Sequence, residues 1–298
     1  MNVAITAAPR VAPAAAATHA SFLRQVLAAA RLDLAEVRRS RWIVFCAGAY
    51  LVLAAVFVLV GLRESTVLGF TGMGRVLLSV CHALLLLLPL LALTMFAPVV
   101  GRARDEGTLE LLFSQPISRA AWFVGVSLTR YLVLVAPLVI LLVGLGAYGQ
   151  LVLGQAVPWP FVVRSLVVAA ALLAAFSGIG ILISTLSRNP GRVTTYVVLA
   201  WALGVALLDF GLIGILLKWR LDAQAVFTLA ALNPVQDARM ALLSGLEPDL
   251  ATLGPVGFYL AHRIGPAALY ALGVLWPAAV GAGTWLCAYL AFRRGDLV

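Results

Sequence analysis

Long uncharged stretches are the sequence feature that most constrains the fold. Residues 42–62 carry no charge, and about 20 apolar residues in a helix are enough to cross the hydrocarbon core of a bilayer. Inside hydrocarbon every backbone polar group must be satisfied within the protein, which favours helices. The sequence therefore predicts an all-α membrane protein. Its six predicted transmembrane helices lie at about 42–62, 76–100, 121–148, 161–187, 193–217 and 266–292.

The composition agrees with a membrane protein and excludes a soluble domain. Of the 298 residues, 63% are hydrophobic and 11% charged, and the mean hydropathy is +1.05. The net charge of +9 would suit nucleic acid, but the basic residues fall at the ends of apolar stretches, as they do in cytoplasmic loops. Most of the 21 Lys and Arg residues lie on the side of the termini. We therefore expect both termini to be cytoplasmic, in a bacterial inner membrane, and no nucleic-acid partner.

Three segments lie outside the predicted spans. Residues 1–20 are rich in Ala and predict a disordered tail before a transmembrane domain over 21–298. Residues 21–41 place apolar side chains at three-to-four spacing among arginines, which predicts an amphipathic helix in the membrane interface. Residues 218–265 contain an Asn-Pro pair, which favours a turn followed by a helix start. They predict a helical hairpin on the outer side, between spans five and six.

The sequence contains no pattern typical of a catalytic or metal site. A Walker A loop needs Gly-Lys followed by Ser or Thr, and the one lysine, Lys218, lies between Leu217 and Trp219. Cys81 and His82 are adjacent, so on a helix they point about 100° apart and cannot readily bind one ion together. We therefore expect no catalytic residue, no metal ligand and no cofactor in this chain, and no enzyme activity of its own.

Asp209 is the one acidic residue inside a predicted span. Such a residue costs about 2.5 to 3.5 kcal/mol on insertion scales, so it should face a cavity or a partner. Two interpretations stay open. Asp209 is either a polar point in the substrate path or dimer interface, or a buried carboxyl, hydrogen-bonded or paired with Arg130 or Arg164. The candidate pathway or interface residues are Asp209, Asn233 and Pro234.

Residues 102–119 form a charged island between the second and third predicted spans. Asp105 and Glu106 come early, helix-forming residues follow, and Pro116 stops the run. Acidic residues at the start of a helix complement its dipole. The pattern predicts a short helix at the membrane surface that docks a cytosolic partner, the alternative being an ordinary solvated loop. The predicted apolar side of this helix consists of Leu109, Leu112 and Phe113.

The stretch 106–119 resembles the cytoplasmic coupling helix of ABC-2 type transporter permeases. In that family an acidic-Gly-Thr-Leu run, followed by Pro and a basic residue, lies between the second and third of six helices. The resemblance covers about residues 21–294. It implies a permease that works as a homodimer or pseudosymmetric pair with two copies of a separate cytosolic ABC ATPase, which binds the ATP and Mg. The implied ATPase-docking residues are Arg104, Asp105, Glu106, Gly107, Thr108, Leu109, Glu110, Leu112 and Phe113.

Two further stretches, 207–210 and 232–245, are similar to the NosY-type permeases, which serve copper-site maturation of nitrous oxide reductase. This similarity implies transport or delivery across the inner membrane, together with a periplasmic partner protein. Two alternatives stay open. One is a general ABC-2 exporter of a lipid, drug or peptide, and the other is a scaffold subunit that transmits ATPase movements without translocating anything. Membrane lipids are expected neighbours in each case.

Overall fold

The computed structural model describes residues 21–68, 73–207, 231–245 and 265–295, and within these ranges it is helical with no strand. A π-helical segment, Ala202–Leu207, continues the eighth helix. The helices are α1 (Phe22–Arg39), α2 (Trp42–Leu68), α3 (Met73–Phe96), α4 (Val99–Asp105), α5 (Thr108–Phe113), α6 (Arg119–Leu151), α7 (Trp159–Leu186), α8 (Pro190–Trp201), α9 (Pro234–Leu243) and α10 (Pro266–Arg294).

Within the described ranges, five helical stretches are long and apolar enough to cross a membrane, and they match five of the six predicted spans. They are Trp42–Leu59, Val76–Asp105, Arg119–Leu151, Trp159–Leu186 and Pro266–Arg294. The second of them extends past the predicted end at residue 100, because the chain becomes helical again after Pro98 and continues to Asp105.

The remaining predictions fall partly or wholly outside the described residues. The predicted span 193–217 begins within α8 and the π-helical segment, and residues 208–217 are not among those described. Asp209 and the tail 1–20 also lie outside them, and of the predicted hairpin 218–265 only residues 231–245 and 265 are described. The fifth predicted span, 193–217, therefore stays a prediction.

Helices α7 and α10 approach each other closely because each has a glycine at their crossing. A Cβ atom added to Gly281 would lie 2.6 Å from the carbonyl oxygen of Ala174, and one added to Gly178 would collide with the carbonyl of Gly281. Small residues at such crossings let helix backbones meet where lipid gives no hydrophobic driving force. On another side of α7, Gly180 similarly admits Phe96 of α3.

Helix α1 has one face on the protein and another open to its surroundings. Val26, Ala29, Asp33 and Val37 are buried, whereas Phe22, Leu23, Leu27 and Leu34 are exposed. Exposed apolar side chains on a helix beside membrane spans suit a position in the membrane interface. Helix α1 thus has two faces, one towards the protein and one towards the membrane interface. The protein-facing side includes the acidic Asp33, which hydrophobic periodicity alone does not assign to a buried face.

Substituting the glycine at the α7–α10 crossing should destabilise the protein. Gly281→Ala places a methyl group against the backbone of Ala174, so we expect a cost of about 1 to 3 kcal/mol and a lower unfolding temperature in detergent. The matched control is Gly283→Ala, two residues along the same helix, where an added Cβ meets nothing within 4 Å. Equal unfolding temperatures for the two variants would contradict the packing described.

Candidate functional site

The α4–α5 segment, residues 99–113, turns sharply at Gly107, which has a positive φ of 68°. Helix α4 ends as the Gly107 N–H donates to the carbonyl of Arg104 at 3.0 Å, and α5 begins as the Leu111 N–H donates to the carbonyl of Gly107 at 3.2 Å. Only glycine adopts this backbone conformation at little cost. The sequence predicted one short helix from Asp105 onward. In the structure Asp105 ends α4, and the short helix α5 begins at Thr108, after a glycine elbow.

One side of the short helix α5 packs against the core, and the other side, called here the open side, is exposed. Leu109 is fully buried, and Leu112 and Phe113 are half-buried against the core. Leu111 is 71% exposed. The exposed acids beside it are Asp105, Glu106 and Glu110. The open side of α5 therefore combines negative charge with one exposed apolar side chain.

The predicted docking residues divide into two groups in the structure. Glu106 and Glu110 are exposed, whereas Leu109 is buried. Arg104 is half-buried, and its Nε and Nη1 atoms have no hydrogen-bond partner in the described part of the chain. Sequence reasoning missed Leu111, although the signal was available. Residues 109 and 112 share a helix face, so residue 111 must point away from it.

An aromatic cluster joins α5 to the last helix. The ring centroids of Phe113 and Trp122 are 6.4 Å apart, and those of Trp122 and Phe292 are 5.3 Å apart in a stacked arrangement. Nearby, the Arg119 guanidinium donates to the carbonyl of Arg293 at 3.2 Å. Because aromatic pairs pack with defined geometry, α5 is fixed to α6 and α10 together.

A buried ion cluster fixes α1 to the bundle beside this segment. The Arg130 Nη2 atom lies 2.7 Å from Asp33 and 3.2 Å from Glu36, and Arg130 Nη1 donates to the carbonyl of Met95 at 3.3 Å. Burial raises the pKa of Asp33, and the Arg130 guanidinium opposes that rise. One guanidinium thus connects α1, α3 and α6.

A cavity of about 270 Å³ lies between α1 and the α4–α5 segment. Asp33, Glu36 and Arg130 line it on one side, and Arg102 and Glu106 on the other. The segment therefore has open space between itself and α1.

Helix α9 is attached to the opposite end of α10. Asn233 caps it, accepting from the Val235 N–H at 3.0 Å, and its amide also donates to the Gly204 carbonyl at 2.8 Å. Gly273 of α10 lies directly against Asp237 and Ala241. Asn233, a candidate pathway residue, is thus engaged in structural hydrogen bonds, and Pro234 occupies the first helical turn of α9.

Asp237 is a buried acidic residue that the sequence analysis did not select as a candidate. It is 1% exposed, and neither carboxylate oxygen has a hydrogen-bond partner among the described residues. Burial raises its pKa to about 7. Its position four residues before the buried Ala241 could have indicated a buried face, but an acidic residue in a first helical turn is also ordinary.

Two arginines proposed as partners of Asp209 are engaged elsewhere. Arg130 pairs with Asp33 and Glu36, and the Arg164 guanidinium carbon lies 4.4 Å from the ring centroid of Tyr270. Over the described ranges, no group of three or more His, Cys, Asp or Glu side chains is placed to hold a metal ion.

Breaking the α1–α6 ion pair should be costly. Asp33→Asn leaves the buried Arg130 without its closest charged partner, and removing one member of a buried pair costs about 3 to 5 kcal/mol. Glu36→Gln is the control, because the Glu36 side chain is 54% exposed and such a pair contributes about 1 kcal/mol or less. Unfolding temperatures in detergent would measure both. A loss no larger for Asp33→Asn than for Glu36→Gln would contradict the role of the pair.

Asp237 should make stability depend on pH. Its pKa rises on folding from 3.8 to about 7, so the folded state binds the proton more tightly, and stability should fall as the pH rises from about 4 to about 7. Asp237→Asn should reduce this dependence, whereas Asp105→Asn, on the exposed surface, should not. Unfolding temperatures at pH 5 and pH 8 test this. An unchanged pH dependence in Asp237→Asn would contradict it.

Comparison with known proteins identifies relatives along nearly the whole chain. Two proteins named "Probable ABC transporter permease protein NosY" are each 25% identical to it. The one from Stutzerimonas stutzeri aligns over 279 residues, covering 91% of this chain and 99% of the relative. The one from Pseudomonas aeruginosa aligns over 269 residues, covering 84% and 92%. The family described as ABC-2 family transporter protein matches residues 27–292. Because that match runs from α1 into the end of α10, the chain belongs to the ABC-2 family of transporter proteins.

Proposed function

We propose that this permease subunit is driven by a separate cytosolic ATPase that docks on the α4–α5 segment. The observation that carries the proposal is the open side of α5, where Glu106, Glu110 and Leu111 are exposed on a helix held by the buried Leu109. A partner with basic side chains around an apolar pocket would complement this surface. The resemblance of residues 106–119 to a coupling helix supports the same assignment.

A push on α5 would reach α10 through the aromatic cluster. Phe113 contacts both Trp122 and Phe292, and α10 continues for about 28 Å from Phe292 to Gly273 at 1.5 Å per residue. There it lies against Asp237 of α9. The cavity beside α5 gives the segment room to move towards α1. We infer that nucleotide-driven movement of the ATPase shifts the permease between two conformations, and that the movement is transmitted from α5 through the aromatic cluster to α10 and α9.

The more specific proposal is a NosY-like role. The chain would form a homodimer with two ATPase copies in the inner membrane, with both termini cytoplasmic, and deliver what copper-site maturation of nitrous oxide reductase requires through a periplasmic partner. The 25% identity to proteins named NosY over most of both chains supports it. The competing proposals are a general ABC-2 exporter of lipid, drug or peptide and a scaffold subunit that only transmits movement.

These proposals separate by experiment. Mass spectrometry of affinity-purified permease would report whether an ATPase and a secreted protein accompany it. The reconstituted complex would then distinguish translocation from signalling. ATP-dependent movement of substrate across the membrane favours an exporter, and ATPase stimulation by the secreted partner without such movement favours the scaffold role.

Charge reversal on the open side of α5 should abolish ATPase binding. The double variant Glu106→Lys/Glu110→Lys replaces two exposed acidic side chains with basic ones. These would repel the basic side chains of the proposed partner, and such repulsion at an interface costs several kcal/mol of binding free energy. We expect the co-purified ATPase to fall by more than about tenfold, with the permease still inserted in the membrane.

The control for this experiment is Glu64→Lys, which reverses a charge near the far end of α2 and should leave ATPase recovery unchanged. An ATPase yield in the double variant equal to that of the wild type would show that docking does not use α5.

A further inference from the structure

An open groove of about 580 Å³ lies where α7 ends and α8 begins. Its walls come from the last two turns of α7, the connecting residues and the first turns of α8. The lining residues are Ile179, Leu182, Ile183, Leu186, Ser187, Arg188, Arg192 and Tyr196. The groove is distinct from the cavity beside α1, with which it shares no lining residue.

The α7 wall of the groove is apolar. Ile179, Leu182, Ile183 and Leu186 follow the three-to-four spacing that places side chains on one face of a helix. From the first to the last of them α7 rises about 10 Å. In length and polarity, this apolar wall suits the part of a lipid acyl chain that lies next to the headgroup.

The other end of the groove is positively charged. Arg188 and Arg192 are both exposed, with Tyr196 beside them, and no acidic residue of the described ranges lines the groove. Asp105 and Glu106 line a neighbouring cavity with Arg188, but neither forms an ion pair with it. The guanidinium groups are therefore available to an anion.

The charged end lies at the level of the membrane boundary. Ser184, near the end of α7, accepts a hydrogen bond from the Val100 N–H of α4 at 2.8 Å. Helix α4 leads directly into the charged α5 elbow, so the arginines stand where α3 and α7 leave the apolar region. Tyrosine is also enriched at this depth in membrane proteins.

We propose that this groove binds an anionic phospholipid. One acyl chain lies along the apolar wall of α7, and the phosphate lies between Arg188 and Arg192. Charge complementarity selects this occupant, because basic residues at the membrane surface each attract anionic lipid. A second copy of the chain is disfavoured, since a two-fold contact at this groove would bring the same arginines of both copies together.

The test is native mass spectrometry of the full-length permease in detergent, titrated with phosphatidylglycerol or phosphatidylcholine of identical acyl chains. The wild type should bind phosphatidylglycerol more tightly. Arg188→Gln/Arg192→Gln should weaken phosphatidylglycerol binding by roughly ten- to thirtyfold, at about a factor of five per arginine, and leave phosphatidylcholine binding unchanged. The matched control is Arg38→Gln/Arg39→Gln, two exposed arginines at the end of α1, which should retain the preference.

A second variant tests the apolar wall. Ile183→Trp narrows the trough without changing charge, so it should weaken binding of both lipids. The proposal is overturned if the Arg188/Arg192 variant keeps its preference for phosphatidylglycerol, or if the α1 control loses it equally. It is also overturned if the Arg188/Arg192 variant changes the oligomeric state with lipid binding intact, because a second copy would then be the occupant.

Discussion

The close contact between α7 and α10 is the constraint on which the rest of the structure depends. Gly178 and Gly281 lack the side chains that would hold the two backbones apart. In hydrocarbon there is no hydrophobic driving force between helices, so close van der Waals packing must stabilise their association instead. With its centre fixed, α10 contacts Phe113 of α5 through Phe292 at one end and α9 through Gly273 at the other. Helix α10 thus contacts both the α4–α5 segment, with its exposed acidic residues, and α9, with its buried Asp237.

The buried charged side chains near the two ends of α10 differ in whether they have partners. Near α5 the buried Arg130 is satisfied by Asp33, Glu36 and a carbonyl, so the cluster fixes α1 in place. In α9 the buried Asp237 has no such partner within the described ranges. A satisfied buried pair rigidifies its surroundings, whereas an unpaired carboxyl responds to the proton or cation concentration next to it.

The fold was predictable where one physical rule decides the local structure. Hydrophobic length predicted six spans, and five of them coincide with helices of the described ranges that are long and apolar enough to cross a membrane. Backbone satisfaction in lipid leaves few alternatives to a helix. The elbow at Gly107 and the pairing of Asp33 with Arg130 were not predicted. A positive φ and a contact between residues 97 positions apart depend on tertiary packing, which helix periodicity does not report.

The small size of α5 explains why the proposed docking surface needs so many internal contacts. A helix of six residues is far below the length that is stable in isolation, so a partner binding to an unsupported α5 would spend its binding energy on ordering it. Leu109 and the Phe113–Trp122–Phe292 cluster supply that order beforehand. In the proposed complex the energy of nucleotide-driven movement is then available to displace α10 and α9, because the segment that receives the push is already fixed to them.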